Sequence, residues 1–222
     1  MKEQHTQPAD IERTSMSIIE QELRARGISL PTETAPVIKR VIHTTADFEY
    51  VETLRFTPDA VALGTAAVKQ GVIVTDTNMA CAGVSKPALA RLGSEVHCFM
   101  AESSVAEEAR RQATTRAAVS MALALETWEH PVLAVGNAPT ALLRIAELLE
   151  EGKRPALVIG VPVGFVNVVE SKERLLEACR RHGVPAIVAL GRKGGSNVAA
   201  AICNALLYSA AGQLDPAARG WQ

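Results

Sequence analysis

Three glycine-containing segments each follow a short apolar run and precede a helical pattern: GNAPT at 136–140, GVPVGFVNVVES at 160–171 and GRKGGS at 191–196. Backbone N–H groups at a helix start, together with the helix dipole, favour anions. Any one of these segments is more simply explained as a tight turn from strand to helix. Three in succession indicate a binding face for a polycarboxylate or a phosphate.

Other site chemistries find little support in the residue spacing. GRKGGS fits neither the dinucleotide nor the P-loop pattern, and no acidic residue follows a strand where a ribose would need one. The G-x-S-x-G pattern of serine hydrolases is absent. The histidines and the four cysteines show no spacing that places two ligands on one face, so we predict neither a metal site nor a disulfide framework.

His43 is the side chain best suited to proton transfer, because its ordinary pKa near 6.5 lies close to neutral pH. It lies in the segment IHTTADFEY. At about 100° per residue it projects nearly opposite the apolar stripe formed by Val37, Ile38, Val41 and Ile42. We therefore expect the imidazole to face solvent or a cavity. From this local pattern alone, a surface or structural histidine is the simpler explanation.

The elements that must position these groups belong to an α/β protein. Ala156–Val161 and Val184–Leu190 are short apolar runs typical of buried strands. Between them, Ser171 is predicted as the N-cap of a helix that ends at His182. This βαβ unit requires a parallel sheet covered on both faces, with ligands beyond the carboxyl ends of the strands.

Three further strands and one long helix are predicted along the chain. The strands are Val72–Val74, Glu95–Met100 and Val132–Val135. The helix is predicted to run from Ser104 to about Trp128 and to carry Arg116 in its middle.

Composition agrees with a single domain of this class. The chain has 222 residues, of which 48% are hydrophobic and 4% aromatic, so the core must consist mainly of Ala, Val, Leu and Ile. We predict a three-layer α/β/α sandwich with a five-stranded, mainly parallel sheet over residues 10–212. Tails are predicted at 1–9 and 213–222. The net charge of −1 does not favour nucleic acid. Without a leader or a membrane-length apolar run, we expect a cytoplasmic protein that makes no membrane contact.

The order and spacing of several motifs are similar to those of one known family. The motifs are SMSIIE (15–20), IHTTADFEY (42–50), DTNM with AGVSK (76–86), TTRAA (114–118), VGNAPTAL (135–142), GVPVGFVNVVESK (160–172) and GRKGGS (191–196). Over about residues 11–210, the chain resembles the precorrin-8X methylmutases of corrinoid biosynthesis. The GNAPTAL and GVPVGFV-x-x-x-ESK motifs together carry the resemblance, since each glycine loop alone would not.

The resemblance implies an isomerase of cobalamin biosynthesis. Such enzymes move a methyl group from C-11 to C-12 of precorrin-8X or cobalt-precorrin-8, giving hydrogenobyrinate or cobyrinate. It further implies an α/β/α fold, no cofactor, and a homodimer that holds the tetrapyrrole near the subunit interface. The residues alone leave two alternatives open, a non-catalytic corrinoid carrier and a nucleotide- or phosphate-binding enzyme.

Site residues follow from the resemblance position by position. His43 is expected to be the general acid, and Ser15 and Arg116 are expected to contact the carboxylates around the ring. The other positions expected to bind substrate are Thr44, Asp76, Lys86, Gly164, Gly194, Gly195 and Ser196. This interpretation requires His43 to project into a macrocycle-sized slot roofed by the turns after the last three strands.

Overall fold

The computed structural model describes residues 6–219. Its centre is a sheet of six strands: β1 Leu54–Phe56, β2 Val72–Thr75, β3 Glu95–His97, β4 Val132–Val135, β5 Leu157–Gly160 and β6 Ala186–Ala189. Their order across the sheet is β1-β6-β5-β4-β2-β3. The strands β2 to β6 pair in parallel, and β1 pairs antiparallel to β6.

The edge strand β1 is the one that the sequence analysis did not predict. It has three residues, with Leu54 opposite Ala189 and Phe56 opposite Ile187. A run this short shows no readable alternation, so only its pairing with β6 identifies it as a strand. The predicted α/β fold with a mainly parallel sheet is confirmed, with six strands in place of five.

Eleven α-helices and one 3-10 helix are assigned within residues 6–219. They are α1 Pro8–Ala25, α2 Ala35–Thr45, α3 Tyr50–Thr53, α4 Ala60–Ala67, α5 Asn78–Gly83, α6 Lys86–Leu92, α7 Ser103–Arg111, α8 Arg116–Thr127, α9 Pro139–Glu150, α10 Val168–His182, α11 Ser196–Ala210 and the 3-10 helix Pro216–Arg219. None of these described helices has both the length and the apolar character needed to cross a membrane.

The helices form two layers because every central strand is apolar on both faces. Ile159 and Ile187 pack into one core with α2, α4, α6 and α11. Their strand neighbours Val158 and Val188 pack into a second core with α8, α9 and α10. Side chains alternate along a strand, so a parallel sheet of this composition must be covered on both sides. Helix α1 lies outside the first layer, against α2.

The long helix predicted from Ser104 to Trp128 is wrong, because the chain breaks into α7 and α8. Ala113 adopts a left-handed φ of 51° at the break. Thr115 then caps α8 by accepting a hydrogen bond from the N–H of Ala118. Arg116 is consequently the first residue of α8 and not a mid-helix residue. The local capping chemistry of threonine outweighs the helical pattern around it.

The N-cap predicted at Ser171 is also wrong. Helix α10 begins at Val168, after Asn167 in a left-handed conformation with φ 57°. Ser171 lies buried in the first turn, and its hydroxyl donates to the carbonyl of Val168. Asparagine tolerates positive φ better than most residues, which allows the helix to begin one turn earlier.

The predicted tails are shorter than expected where the structure describes them. Helix α1 already begins at Pro8, and residues 1–5 of the predicted first tail lie outside the described residues. The tail predicted over 213–222 is wrong for 213–219, because Gln213 and Pro216 are buried and Arg219 pairs with Glu12 of α1. Residues 220–222 lie outside the described part of the chain.

Candidate active site

Helices α1 and α2 bring Ser15 and His43 into contact. The Ser15 Oγ lies 2.8 Å from the His43 Nδ1, although 28 residues separate the two positions. The apolar residues of α2 turn towards the core, and His43 lies off that stripe, half-buried. The sequence predicted that the imidazole faces solvent or a cavity, and in the structure it faces a cavity and not the core.

The imidazole lines a cavity of about 380 Å³ between α1, α2 and the following loop. Its walls are mainly apolar and include Ile11, Ile18 and Phe48, and Glu22 is its acidic residue. Small-molecule pockets in proteins span about 300–1,000 Å³, so this cavity is at the lower end of that range.

The surroundings of His43 lower its pKa below the ordinary value of 6.5. Burial is the main cause, the charges of Arg40 and Arg219 act in the same direction, and the carboxylate of Glu12 opposes them. The imidazole is therefore mostly neutral at neutral pH. In the neutral tautomer whose Nδ1 accepts from Ser15, the proton lies on Nε2 and can be donated to a ligand.

A second group of predicted residues lies where the loops after β4, β5 and β6 converge. The N–H of Gly195 donates to the carbonyl of Val161 at 2.8 Å. The Ser196 hydroxyl lies 2.8 Å from the Thr77 hydroxyl, which ties the start of α11 to the end of β2. The structure therefore brings these strand ends together, as the glycine pattern predicted.

Close contact between the loops explains two of the glycines. A Cβ at Gly194 would lie 2.1 Å from the carbonyl oxygen of Val161. A Cβ at Gly136 would lie 2.7 Å from the Cα of Ser196. Neither backbone atom can move aside easily, so a larger residue would force the loops apart. Gly164 joins the same cluster by donating its N–H to the Arg192 carbonyl at 3.2 Å.

Lys172 holds this loop cluster together and was given no role in the sequence analysis. Its side chain is fully buried, and its Nζ donates to the carbonyls of Gly191 and Lys193, each at 2.8 Å. Burial lowers the pKa of Lys172 to about 8. A signal was present in the sequence, since this lysine lies on the apolar stripe of α10 between Val168 and Leu175.

Asp76 follows β2 and holds the loop after β4 by hydrogen bonds. It is 1% exposed, and its carboxylate accepts the backbone N–H groups of Gly136, Asn137 and Ala138, each at 2.8 Å. Burial raises the pKa of Asp76, and the three donors act against that rise. With both oxygens occupied and almost no exposed surface, this carboxylate is placed to position the loop.

The remaining predicted residues are spread over the surface. Thr44 is exposed, and its hydroxyl donates to the carbonyl of Arg40. Lys86 is exposed, and its Nζ donates to the carbonyl of Cys81 at 2.7 Å. Arg116 is exposed at the start of α8, on the opposite side of the sheet from α2.

The sequence predicted a slot over His43 that is covered by the turns after β4, β5 and β6. Within one chain, these turns do not cover His43. The residues lining the His43 cavity come from α1, α2 and the loop after α2, not from the turns. An ion-pair cluster connects the two regions, in which Lys193 lies 2.6 Å from Asp47 and 2.7 Å from Glu49. These carboxylates raise the pKa of Lys193. The turn after β6 therefore lies beside the end of α2 without covering the imidazole.

The described residues include no group of three His, Cys, Asp or Glu side chains that could hold a metal ion. Their four cysteines are free thiols. Burial raises the pKa of Cys179 and of Cys203 to about 12, so both are neutral. These two side chains pack in the two cores on either side of the sheet.

Taken together, the covered parallel sheet, the histidine pocket and the loop cluster at the carboxyl strand ends define an α/β enzyme for a small molecule. The family model for precorrin-8X methylmutase matches residues 10–209. The chain belongs to this family, and it is an isomerase of the intramolecular-transferase type.

Individual relatives agree with the family match. The chain is 46% identical to a cobalt-precorrin-8 methylmutase of Salmonella typhimurium, over 91% of this chain and 95% of the relative. It is 42% identical to a cobalt-precorrin-8 methylmutase of Priestia megaterium, over 90% and 87%. A crystal structure of a precorrin-8X methylmutase from Thermus thermophilus is 41% identical with a TM-score of 0.80, covering 91% of this chain and 98% of that one.

Proposed function

We propose that this isomerase moves a methyl group from C-11 to C-12 of precorrin-8X or cobalt-precorrin-8, giving hydrogenobyrinate or cobyrinate. The names of the relatives support this substrate class, since they include both methylmutases. The substrate is a large, flat tetrapyrrole with acetate and propionate groups at its edge. It needs an apolar surface with anion-binding groups around it, which the His43 cavity and the loop cluster could supply between them.

His43 is proposed as the general acid, and the hydrogen bond between Ser15 and its Nδ1 is the observation that supports this role. With Nδ1 engaged, Nε2 is the nitrogen available to the macrocycle. Protonation makes the ring electron-poor, so the methyl group can migrate with its bonding electrons. Because the product is an isomer of the substrate, the ring then loses a proton again. A positioned general acid contributes about 10²–10⁴-fold in rate.

The binding roles rest on which residues lie together. Gly164, Gly194, Gly195 and Ser196 lie in the loop cluster. The N–H groups of Gly164 and Gly195 already donate to carbonyls within it, so the backbone N–H groups at the start of α11 are the proposed donors to peripheral carboxylates. Asp76 acts through the loop that its carboxylate holds. Thr44, Lys86 and Arg116 are proposed to bind carboxylates from more distant positions. We propose a homodimer, since α2 and Arg116 lie on opposite sides of the sheet in one chain and a second copy could bring them to one ligand.

Replacement of the histidine tests the proposal. We expect His43→Ala to bind hydrogenobyrinate with little loss and to convert precorrin-8X about 10²–10⁴-fold more slowly. His130→Ala is the matched control, because His130 is exposed and its ring contacts the backbone carbonyl of Arg154 and the carboxylate of Glu129, away from His43. Conversion by His43→Ala at nearly the wild-type rate would refute the assigned role. Binding without conversion by the wild type would favour the carrier alternative.

A further inference from the structure

The C-terminal segment 213–219 folds back onto the two helices that carry the Ser15–His43 pair. The Nη1 of Arg219 lies 2.7 Å from each carboxylate oxygen of Glu12 on α1. The Nη2 of Arg40 on α2 lies 2.5 Å from the same carboxylate. Glu12 therefore bridges two arginines, one from the neighbouring helix and one from the end of the chain.

The ion pairs of Glu12 with Arg40 and Arg219 are buried, and several further contacts fix their geometry. The side chains of Glu12 and Arg219 are 6% and 4% exposed. The guanidinium of Arg219 stacks 3.8 Å from the centre of the Tyr208 ring, and that of Arg40 lies 5.2 Å from it. Arg219 also donates to the carbonyls of Gln213 and Leu214, so its fork is fixed on several sides.

The cluster and the Ser15–His43 pair occupy successive turns of the same helix interface. Glu12 and Ser15 are neighbours on one face of α1, and Arg40 and His43 have the same three-residue spacing on α2. A change in the spacing of the helices at the ion pair must therefore change the Ser15–His43 distance. The family model ends at residue 209, so Arg219 lies outside the matched part of the chain.

We propose that Arg219 is a positioning residue for the reaction: through Glu12 it holds α1 against α2 and keeps the Ser15 hydroxyl on the Nδ1 of His43. This inference rests on the proposed role of His43. Arg219 acts on His43 through α1 and through the local charge, without contacting the substrate.

The charges around the imidazole give the proposal a directional test. Glu12 and Glu22 of α1 face this region, with Arg40 of α2 and Arg219 from the C-terminal segment. Glu22 is already paired with Arg26 at 3.1 Å. Loss of the Arg219 charge should raise the pKa of His43, and loss of the Glu12 charge should lower it further, because the two groups act in opposite directions.

The experiment combines an NMR titration of the His43 ring in the full chain with kinetics on precorrin-8X. We expect Arg219→Gln to raise the pKa of His43, to lower kcat about 10- to 100-fold and to leave KM nearly unchanged. Glu12→Gln should shift the His43 titration the opposite way. Arg181→Gln is the matched control, because Arg181 forms exposed ion pairs with Glu150 and Glu177 on the far side of the sheet.

Wild-type titration and wild-type kcat in Arg219→Gln, with only a lower Tm, would overturn the proposal, since a merely structural role predicts that result. If Arg219→Gln does not fold, Arg219→Lys decides. It keeps the charge but loses the fork, so the His43 pKa should stay and kcat should fall, and a wild-type kcat would overturn the proposal. The titration does not depend on turnover, so failure of His43 as the acid remains distinguishable from failure of Arg219 as its positioning residue.

Discussion

Replacement of Lys172 by methionine should weaken substrate binding while changing the stability of the fold only a little. The Nζ of Lys172 fastens the turn after β6 through the carbonyls of Gly191 and Lys193. Methionine has a similar length and no charge. We expect Lys172→Met to loosen the turn, to lower the free energy of unfolding only slightly, and to raise KM for precorrin-8X about tenfold, the equivalent of one hydrogen bond to a charged group.

The small stability change follows from two opposing contributions at Lys172. Two hydrogen bonds with a charged donor contribute about 1.5–3 kcal/mol each, and the variant loses both. Burial lowers the pKa from 10.5 to about 8, which corresponds to about 3 kcal/mol of burial cost. The variant avoids this cost. The net loss should therefore be about 0–3 kcal/mol.

Urea unfolding and steady-state kinetics measure the two effects on the same preparations. Lys153→Met is the matched control, because Lys153 donates to the single carbonyl of Leu125, outside the loop cluster. It should leave KM unchanged. A loss of more than about 5 kcal/mol in Lys172→Met, or an unchanged KM, would refute the reasoning.

Lys172 should also make the stability of the protein depend on pH. Its folded pKa is lower than its unfolded pKa, so the burial cost is fully present below pH 8. Between about pH 8 and 10.5 the unfolded chain binds the proton that the folded chain has lost, and stability rises with pH. The unfolding free energy of the wild type should therefore increase relative to Lys172→Met over this interval. A constant difference between the two proteins would contradict a buried charged lysine.

Two further predictions concern the histidine and the loop glycines. Because the pKa of His43 lies below 6.5 and its neutral Nε2–H is the proposed donor, kcat/KM should be constant between about pH 7 and 8, and a fall of about tenfold per pH unit over this range would contradict the neutral donor. Gly194→Ala should lower stability by about 1–3 kcal/mol and raise KM, because its Cβ would meet the Val161 carbonyl. Gly152→Ala is the control, because a Cβ there meets no neighbouring atom and only the positive φ of 93° is unfavourable for alanine. It should lower stability without changing KM. Equal KM values in the two variants would contradict the argument that Gly194 keeps the loops together.

The sequence alone was sufficient for the α/β class, the five parallel strands, the convergence of the glycine loops and the direction of His43. Each depends on local periodicity or on the general geometry of parallel sheets. The apolar residues of α2 must turn towards the core, so His43 must turn away from it. Likewise, consecutive parallel strands end at the same edge of the sheet, so the loops that follow them must lie near one another.

Tertiary structure alone decided the features that join distant parts of the chain. Leu54–Phe56 is a strand because β6 lies beside it, and the buried Lys172 holds the turn after β6 because two carbonyls of that turn accept hydrogen bonds from its ammonium group. Glu12 meets Arg219 across 207 positions of sequence. No local pattern encodes such pairs, since a buried ion pair or an edge strand is stable only after both partners have been brought together by packing of the rest of the fold.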